Sequence, residues 1–299
     1  MELEENWNAA HNSGRDREFD MYDIGVVVLN YVNYAETIKC VQSLLNQKSV
    51  SCRIVIVENG SNNESADRLR EAFAGAETVS VLDTGKNLGY AKGNNVGIQH
   101  LRSEGIQRIF VANSDLEFTD PNTLRQILDA CEPGVGLITP VICNLDGSTT
   151  QRVVYKKKAL YLRIGKHICK RLLRLNGSQK QRELDSIAEG KVLTGLQNDA
   201  YVVSGSGYLL TEEFFRYYSG LYSETFLYYE EWATSILLHK AGLKTKIADC
   251  APITHLGGAS TPADIRNETP RSRKIRNESA RKILKLMFIP RRFLEGKGR

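Results

Sequence analysis

Along the first 140 residues, unbroken apolar runs alternate with segments whose apolar residues recur at helical spacing. Residues 24–29 (IGVVVL), 53–57 (RIVIV), 78–82 (TVSVL), 108–112 (RIFVA) and 135–140 (VGLITP) are short and mostly β-branched, which predicts strands. Between them, residues 34–47 place Ile38, Val41, Leu44 and Leu45 on one helical face, and residues 64–74 do so with Leu69 and Phe73. Residues 90–105 and 121–131 complete the helices, the latter opening on Pro121. Strand–helix alternation through short connections predicts a mostly parallel α/β sheet flanked by helices. Runs without polar alternation fit strands covered on both faces.

The second half is less regular. Residues 152–182 mix cations with apolar side chains, and residues 200–210 (AYVVSGSGYLL) predict a strand broken by glycines. Residues 230–243 predict a helix with Glu230 and Glu231 in its first turn, His239 and Lys240 near its end, and Gly242 as a stop. A short strand at 244–248 and a glycine-rich loop at 253–260 (ITHLGGAS) follow. The expected organisation is a disordered tail (1–22), one α/β domain (23–265) whose halves meet near residue 140, and a basic helical extension (266–299).

At 299 residues, 41% hydrophobic, the chain can bury a large core, and none of its apolar runs reaches the length of a membrane-spanning helix. The polar, acidic N-terminus does not fit a secretory signal. Six cysteines without a C-x-x-C pair fit buried free thiols in a reducing cytoplasm better than zinc. The net charge of +5 is uneven: residues 152–182 carry eleven Lys or Arg and no acid, and residues 266–299 carry twelve against three acids. Such asymmetry points to an anionic partner: a membrane surface, nucleic acid or a phosphorylated ligand. As helices, residues 156–175 and 273–293 are basic amphipaths suited to an anionic membrane; the plainer alternative is a solvated helix packed on the domain.

Candidate chemistry gathers where strands turn polar. The first strand ends in Asn30 and Tyr31, the second in Glu58, Asn59 and Gly60, and the fourth in Asn113, Ser114, Asp115 and then Glu117. Carboxyl ends of parallel strands share one edge, where open α/β sheets bind ligands, so three polar ends predict a cleft. Residues 84–98 (TGKNLGYAKGNNVGI) add Gly85, Gly89, Gly93 and Gly97, whose helix-weakening glycines point to a close backbone approach. Neither this loop nor the GSG at 205–207 has the spacing of a Walker or dinucleotide fingerprint.

Taken in order, VVVLNY, VIVENGS, NLGYAKGNNVGI, VANSDLEF, GSGYLL, YYEEWATSILLHKAGL and HLGGAS resemble glycosyltransferase family 2, most closely its rhamnosyltransferase-like branch, from about residue 24 to about 290. The resemblance implies a GT-A fold, Rossmann-like with a mostly parallel central sheet, a nucleotide-sugar half (about 23–140) and an acceptor half (about 141–265). It implies inverting transfer from a nucleotide-diphosphate sugar, assisted by Mg2+ or Mn2+, to a saccharide or lipid-linked acceptor in cell-surface polysaccharide synthesis. No nucleic-acid partner is expected. The location it implies is cytoplasmic, peripheral on the inner face of an anionic membrane.

Residue by residue, the family's aspartate–any–aspartate motif falls on Asn113, Ser114 and Asp115, so an amide stands where many members have the first acid. Asp115 and His255 match metal ligands. Asn30, Tyr31, Glu58, Asn59, Lys86, Asn87 and Gly89, with Asn113 to Asp115, match donor-binding positions. Gly205, Ser206, Gly207 and Trp232 match acceptor-binding positions. Glu231 matches the base and Glu230 its partner, a Glu-Glu pair where the family usually has Glu-Asp. Two other classes stay open on the residues: a degenerate sugar-nucleotide binder, favoured by Asn113, and a sugar nucleotidyltransferase, disfavoured because NYVNYAET lacks a glycine-rich signature after the first strand.

Overall fold

The computed structural model describes residues 22–149, 152–154, 161–162, 164–166, 168–169, 201–203, 205–257 and 269–294. The N-terminal tail, most of the basic stretch at 156–175 and the glycines after Gly257 lie outside these residues. The chain opens with β1 (Ile24–Asn30), α1 (Tyr34–Leu45), β2 (Cys52–Glu58), α2 (Ser65–Ala72), β3 (Val79–Asp83), α3 (Tyr90–Ser103) and β4 (Ile109–Asn113). It continues through β5 (Leu116–Glu117), α4 (Thr123–Asp129), β6 (Val135–Thr139), β7 (Ile142–Asn144), β8 (Arg152–Val154), β9 (Tyr201–Val203) and β10 (Gly207–Leu210). A short α5 (Glu212–Phe215), α6 (Glu230–Ala241), β11 (Lys244–Ile247), β12 (Ile253–His255) and α7 (Pro270–Phe288) follow, the last trailed by a 3-10 turn (Arg291–Phe293).

The main sheet has the order β11-β6-β10-β4-β1-β2-β3. Strands β1 to β4 run parallel to one another, and β10 enters antiparallel between β4 and β6. Successive residues of β1 serve opposite cores. Val27 packs with Ile98 and Leu101 of α3, while Val26 and Val28 pack with Val41 and Leu44 of α1. All three valines are fully buried, as strands covered on both faces require. The glycines of α3 serve this packing. A Cβ at Gly97 would lie 2.6 Å from Val27, and one at Gly93 2.6 Å from Leu29, so the close approach inferred from sequence is to the sheet.

The segment read as one glycine-broken strand is two. β9 pairs with β8 in a separate ribbon, and β10 joins the main sheet. The stretch read as a loop at 253–260 begins as β12, the middle strand of a small sheet ordered β5-β12-β7. The basic C-terminal stretch is a helix whose Ala280, Ile283 and Leu286 are fully buried in the core shared with α6.

Candidate active site

The register places the polar strand ends side by side: Asn30 opposite Glu58, Glu58 opposite Asp83, and Leu29 opposite Asn113. Antiparallel β10 brings the GSG turn to the same edge, where the Asn113 N–H donates to the Ser206 carbonyl at 2.8 Å. The small sheet adds the other wall.

At that wall, Asp115 is buried, and its Oδ1 lies 3.3 Å from His255 Nε2 without a hydrogen-bond partner of good geometry. The contact with the Asp115 carboxylate raises the His255 pKa, against the opposing effect of burial. β7 runs beside β12 and sets Asn144 opposite His255, with its Oδ1 3.2 Å from His255 Nδ1. A proton on Nδ1 donated to Asn144 leaves Nε2 as a lone pair facing Asp115, the usual outer support of a ligating imidazole. The sequence reading missed Asn144, since only strand pairing shows its part. These groups fit a hard divalent cation. Two ligands of an octahedral ion at about 2.1 Å stand about 3 Å apart, and such ions are held by one or two protein groups plus substrate phosphates. Among the described residues, no group of three or more His, Cys, Asp or Glu is gathered for a metal. Glu117 is exposed on β5.

At the ends of β1 and β2, Asn30 is fully buried; Thr37 donates to its Oδ1 at 2.7 Å, and its Nδ2 donates to Glu58 Oε1 at 3.4 Å. Glu58 builds its own turn, accepting from the Gly60 and Ser61 amides and from the Ser61 hydroxyl. Asn59 ties the next loop, accepting from Leu88 N–H and donating to Asn87 Oδ1 and the Gly89 carbonyl. Tyr31 and Asn87 are half-buried and Lys86 is exposed. Gly89 (φ +83°) is the N-cap of α3, and a Cβ there would lie 2.2 Å from the Phe226 carbonyl. Ser114 is buried with its hydroxyl unpartnered among the described residues.

Across the edge, α6 presents Glu230 and Glu231, both half-buried. A Cβ added to Gly205 would lie 3.9 Å from Glu231 Oε2, so this carboxylate borders the GSG turn. Burial, then the Glu231 charge, raises the Glu230 pKa to about 8, and its Oε1 has no hydrogen-bond partner among the described residues. Behind the pair, the Tyr90 hydroxyl donates to the Gly205 carbonyl at 2.9 Å and meets the Tyr208 hydroxyl. Trp232 is half-buried with its ring 5.4 Å from that of Tyr229. The edge thus brings together Asp115, His255, Asn113, the GSG turn and the acidic pair.

The family model for glycosyl transferase family 2 matches residues 24–184, more than half of the chain. The chain belongs to glycosyltransferase family 2. Its relatives carry hexosyltransferase names. The low-salt glycan biosynthesis hexosyltransferase Agl10 of Haloferax volcanii is 25% identical over 197 residues, 66% of this chain and 58% of that protein. The galactofuranosyltransferase GlfT1 of Mycobacterium tuberculosis is 26% identical over 145 residues, 46% of this chain and 47% of that protein. The dTDP-rhamnosyl transferase RfbF of Shigella flexneri is 31% identical over 85 residues, 28% of this chain and 27% of that protein. The match therefore spans about half the length of the first two relatives, and less of the third.

The fold of this chain is also that of a solved structure, the mannosyltransferase PcManGT from Pyrobaculum calidifontis in complex with GDP-Man and Mn2+. The likeness has a TM-score of 0.50 at 12% identity and covers 88% of this chain and 70% of the other. It supports the GT-A architecture expected from the sequence.

Proposed function

We propose that this glycosyltransferase moves a hexosyl group, with inversion, from a nucleotide-diphosphate sugar to a hydroxyl of a saccharide or lipid-linked saccharide, in cell-surface polysaccharide synthesis. One observation carries the reading. The GSG turn links the two halves of the chemistry: Ser206 is bonded to the Asn113 backbone, two residues from Asp115, while Gly205 borders the Glu231 carboxylate. A sugar held over that turn lies between a diphosphate on one side and a base on the other.

In this reading Asp115 and His255 would hold Mg2+ or Mn2+, which would supply positive charge opposite the departing diphosphate. Asn30, Tyr31, Lys86, Asn87 and Asn113 to Asp115 line the donor, with Glu58, Asn59 and Gly89 shaping the loops beside it. Gly205, Ser206, Gly207 and Trp232 meet the acceptor. Glu231 takes the proton of the acceptor hydroxyl as its oxygen attacks the anomeric carbon and the bond to the diphosphate breaks. Glu230, neutral below about pH 8, adds no second negative charge to that step. A dTDP-hexose or GDP-mannose donor follows the named relatives and the solved neighbour.

The location proposed is cytoplasmic, peripheral on an anionic inner membrane face. Among the described residues, no helix is long and apolar enough to cross a membrane. The outward side of α7 carries Lys274, Arg281 and Lys285 and ends in Phe288, 81% exposed, with Phe293 just beyond. Cations leading to exposed aromatic rings suit the headgroup region.

The test is release of nucleoside diphosphate from a panel of UDP-, GDP- and dTDP-hexoses, with parent and Glu231→Gln. The variant keeps size and hydrogen bonding but cannot accept the proton. It is expected to lower kcat by about 10² to 10⁴ at unchanged donor affinity. Parent-like turnover refutes the assignment.

A further inference from the structure

The helix bearing the acidic pair has an unusual start. Tyr228 (φ +75°) and Tyr229 (φ +69°) are consecutive non-glycine residues in the left-handed region, and Tyr229 is the N-cap. N-cap residues ordinarily sit in the β region with a side-chain oxygen facing the helix amides, and Tyr229 makes no side-chain cap. Bulky residues keep such angles only where their surroundings enforce them, and such strain gathers at functional sites.

The enforcing contacts come from two sides. On the donor side, the Tyr90 N–H donates to the Phe226 carbonyl at 2.9 Å, and the missing Cβ of Gly89 admits that carbonyl. On the other side, α7 reaches the same segment with three residues spaced three apart. Lys282 Nζ donates to the Glu224 carbonyl at 2.6 Å, and the Ser279 hydroxyl to the Leu227 carbonyl at 2.8 Å. The Arg276 guanidinium lies 4.3 Å from the Tyr228 ring centroid and donates through Nη2 to the Tyr228 hydroxyl at 3.3 Å. The foot of α7 is locked in turn, since Lys240 of α6 donates to the Met287 and Ile289 carbonyls.

We propose that Arg276, supported by Ser279 and Lys282, is a positioning residue for sugar transfer: α7 holds residues 224–229 so that α6 starts where Glu230 and Glu231 border the GSG turn. Cations that the sequence marks for an external anion thus work inside the fold. The proposal rests on the reading of Glu231 as the base, and its first readouts need no donor.

Arg276→Met keeps much of the side-chain volume and loses the charge and the donors. In the full chain, amide hydrogen exchange of residues 224–233 is expected to speed up about tenfold, with exchange of β1 to β4 unchanged. By 13C-detected titration, the Glu230 carboxyl is expected to move down towards the ordinary carboxylate range as water reaches it. With the nucleotide sugar that the parent turns over, kcat is expected to fall about 10- to 100-fold at a KM for donor within twofold. Arg276→Lys, which retains the cation over the ring, is expected to recover part of the loss. If Arg276→Met does not fold, Ser279→Ala takes its place with the same readings. Unchanged exchange and unchanged Glu230 titration overturn the clamp. Local loosening with parent-like kcat, or a loss matched by faster exchange throughout the sheet, overturns the positioning role. A normal response to Glu231→Gln beside either result separates failure of this proposal from failure of the base assignment.

Discussion

Replacing Glu230 with glutamine preserves shape and removes a single titration. Burial and the neighbouring Glu231 carboxylate raise this group from 4.5 to about 8. At pH 7 an acid with that pKa is about nine-tenths protonated. The folded chain therefore keeps a proton between pH 4.5 and about 8 that the unfolded chain has released. The native state binds more protons across that window, so stability falls as pH rises through it. At about 1.4 kcal/mol per pKa unit, the ceiling is ~5 kcal/mol. Of that, ~3 kcal/mol falls between pH 5.5 and pH 9. Urea denaturation of parent and Glu230→Gln at pH 5.5 and pH 9 reads it directly. The variant is expected to gain ~3 kcal/mol on the parent at pH 9 relative to pH 5.5. Its turnover at pH 7 is expected to stay within about tenfold, since it replaces a neutral acid with a neutral amide. Parallel pH slopes for the two proteins refute a protonated Glu230. A dead Glu230→Gln beside an active Glu231→Gln reverses the roles of the pair.

Asp115→Ala is expected to abolish turnover together with its stimulation by Mn2+ or Mg2+, and excess EDTA to silence the parent; full activity in EDTA removes the cation from the reaction. Gly89→Ala puts a Cβ 2.2 Å from the Phe226 carbonyl at a φ of +83°. It is expected to cost at least about 1 to 2 kcal/mol in urea denaturation and to raise the donor KM, and parent-like values of both show that the loop yields easily. Sedimentation with anionic liposomes is expected at low salt and to fade as salt rises, through the outer cations of α7; a protein that stays in the supernatant at low salt does not use that face for lipid.

The first 140 residues were largely legible because their signals are local. Unbroken β-branched runs at 24–29, 53–57 and 108–112 became β1, β2 and β4, with helix–strand boundaries within a few residues. The three polar strand ends do lie side by side, because parallel strands of one sheet share their carboxyl edge. The antiparallel entry of β10 was not legible. Nothing in AYVVSGSGYLL records that its last four residues pair with β4, about a hundred positions earlier. Asn144 was invisible for the same reason, since it matters only as the partner of His255 across β7 and β12. The basic C-terminal helix was read from its charge, but charge alone cannot tell a cation facing water from Arg276 lying over Tyr228. The left-handed tyrosines defeat propensity altogether, because tertiary contacts impose them.

Asn113 shows how this edge keeps its geometry with one acid fewer. The backbone of the residue is what the fold uses: its N–H donates to Ser206, and its carbonyl receives the Cys40 thiol at 3.6 Å. Both bonds are indifferent to Asp or Asn in the side chain, so Asp115 keeps its place beside His255. What changes is charge. On the proposed reading, a divalent cation meets one protein carboxylate and one imidazole, and the diphosphate of the donor supplies the remaining negative charge. Cation and donor then strengthen each other's binding by the same factor, as thermodynamic linkage requires. Glu230 makes a parallel adjustment at the other end, where burial and Glu231 keep it protonated at neutral pH. On the same reading, Asp115 stands beside the cation on one side of the GSG turn and Glu231 serves as the base on the other. On that reading a polyanionic leaving group is repelled least where few acids face it, since each further ionised acid there would oppose the charge that develops on the diphosphate as the bond breaks.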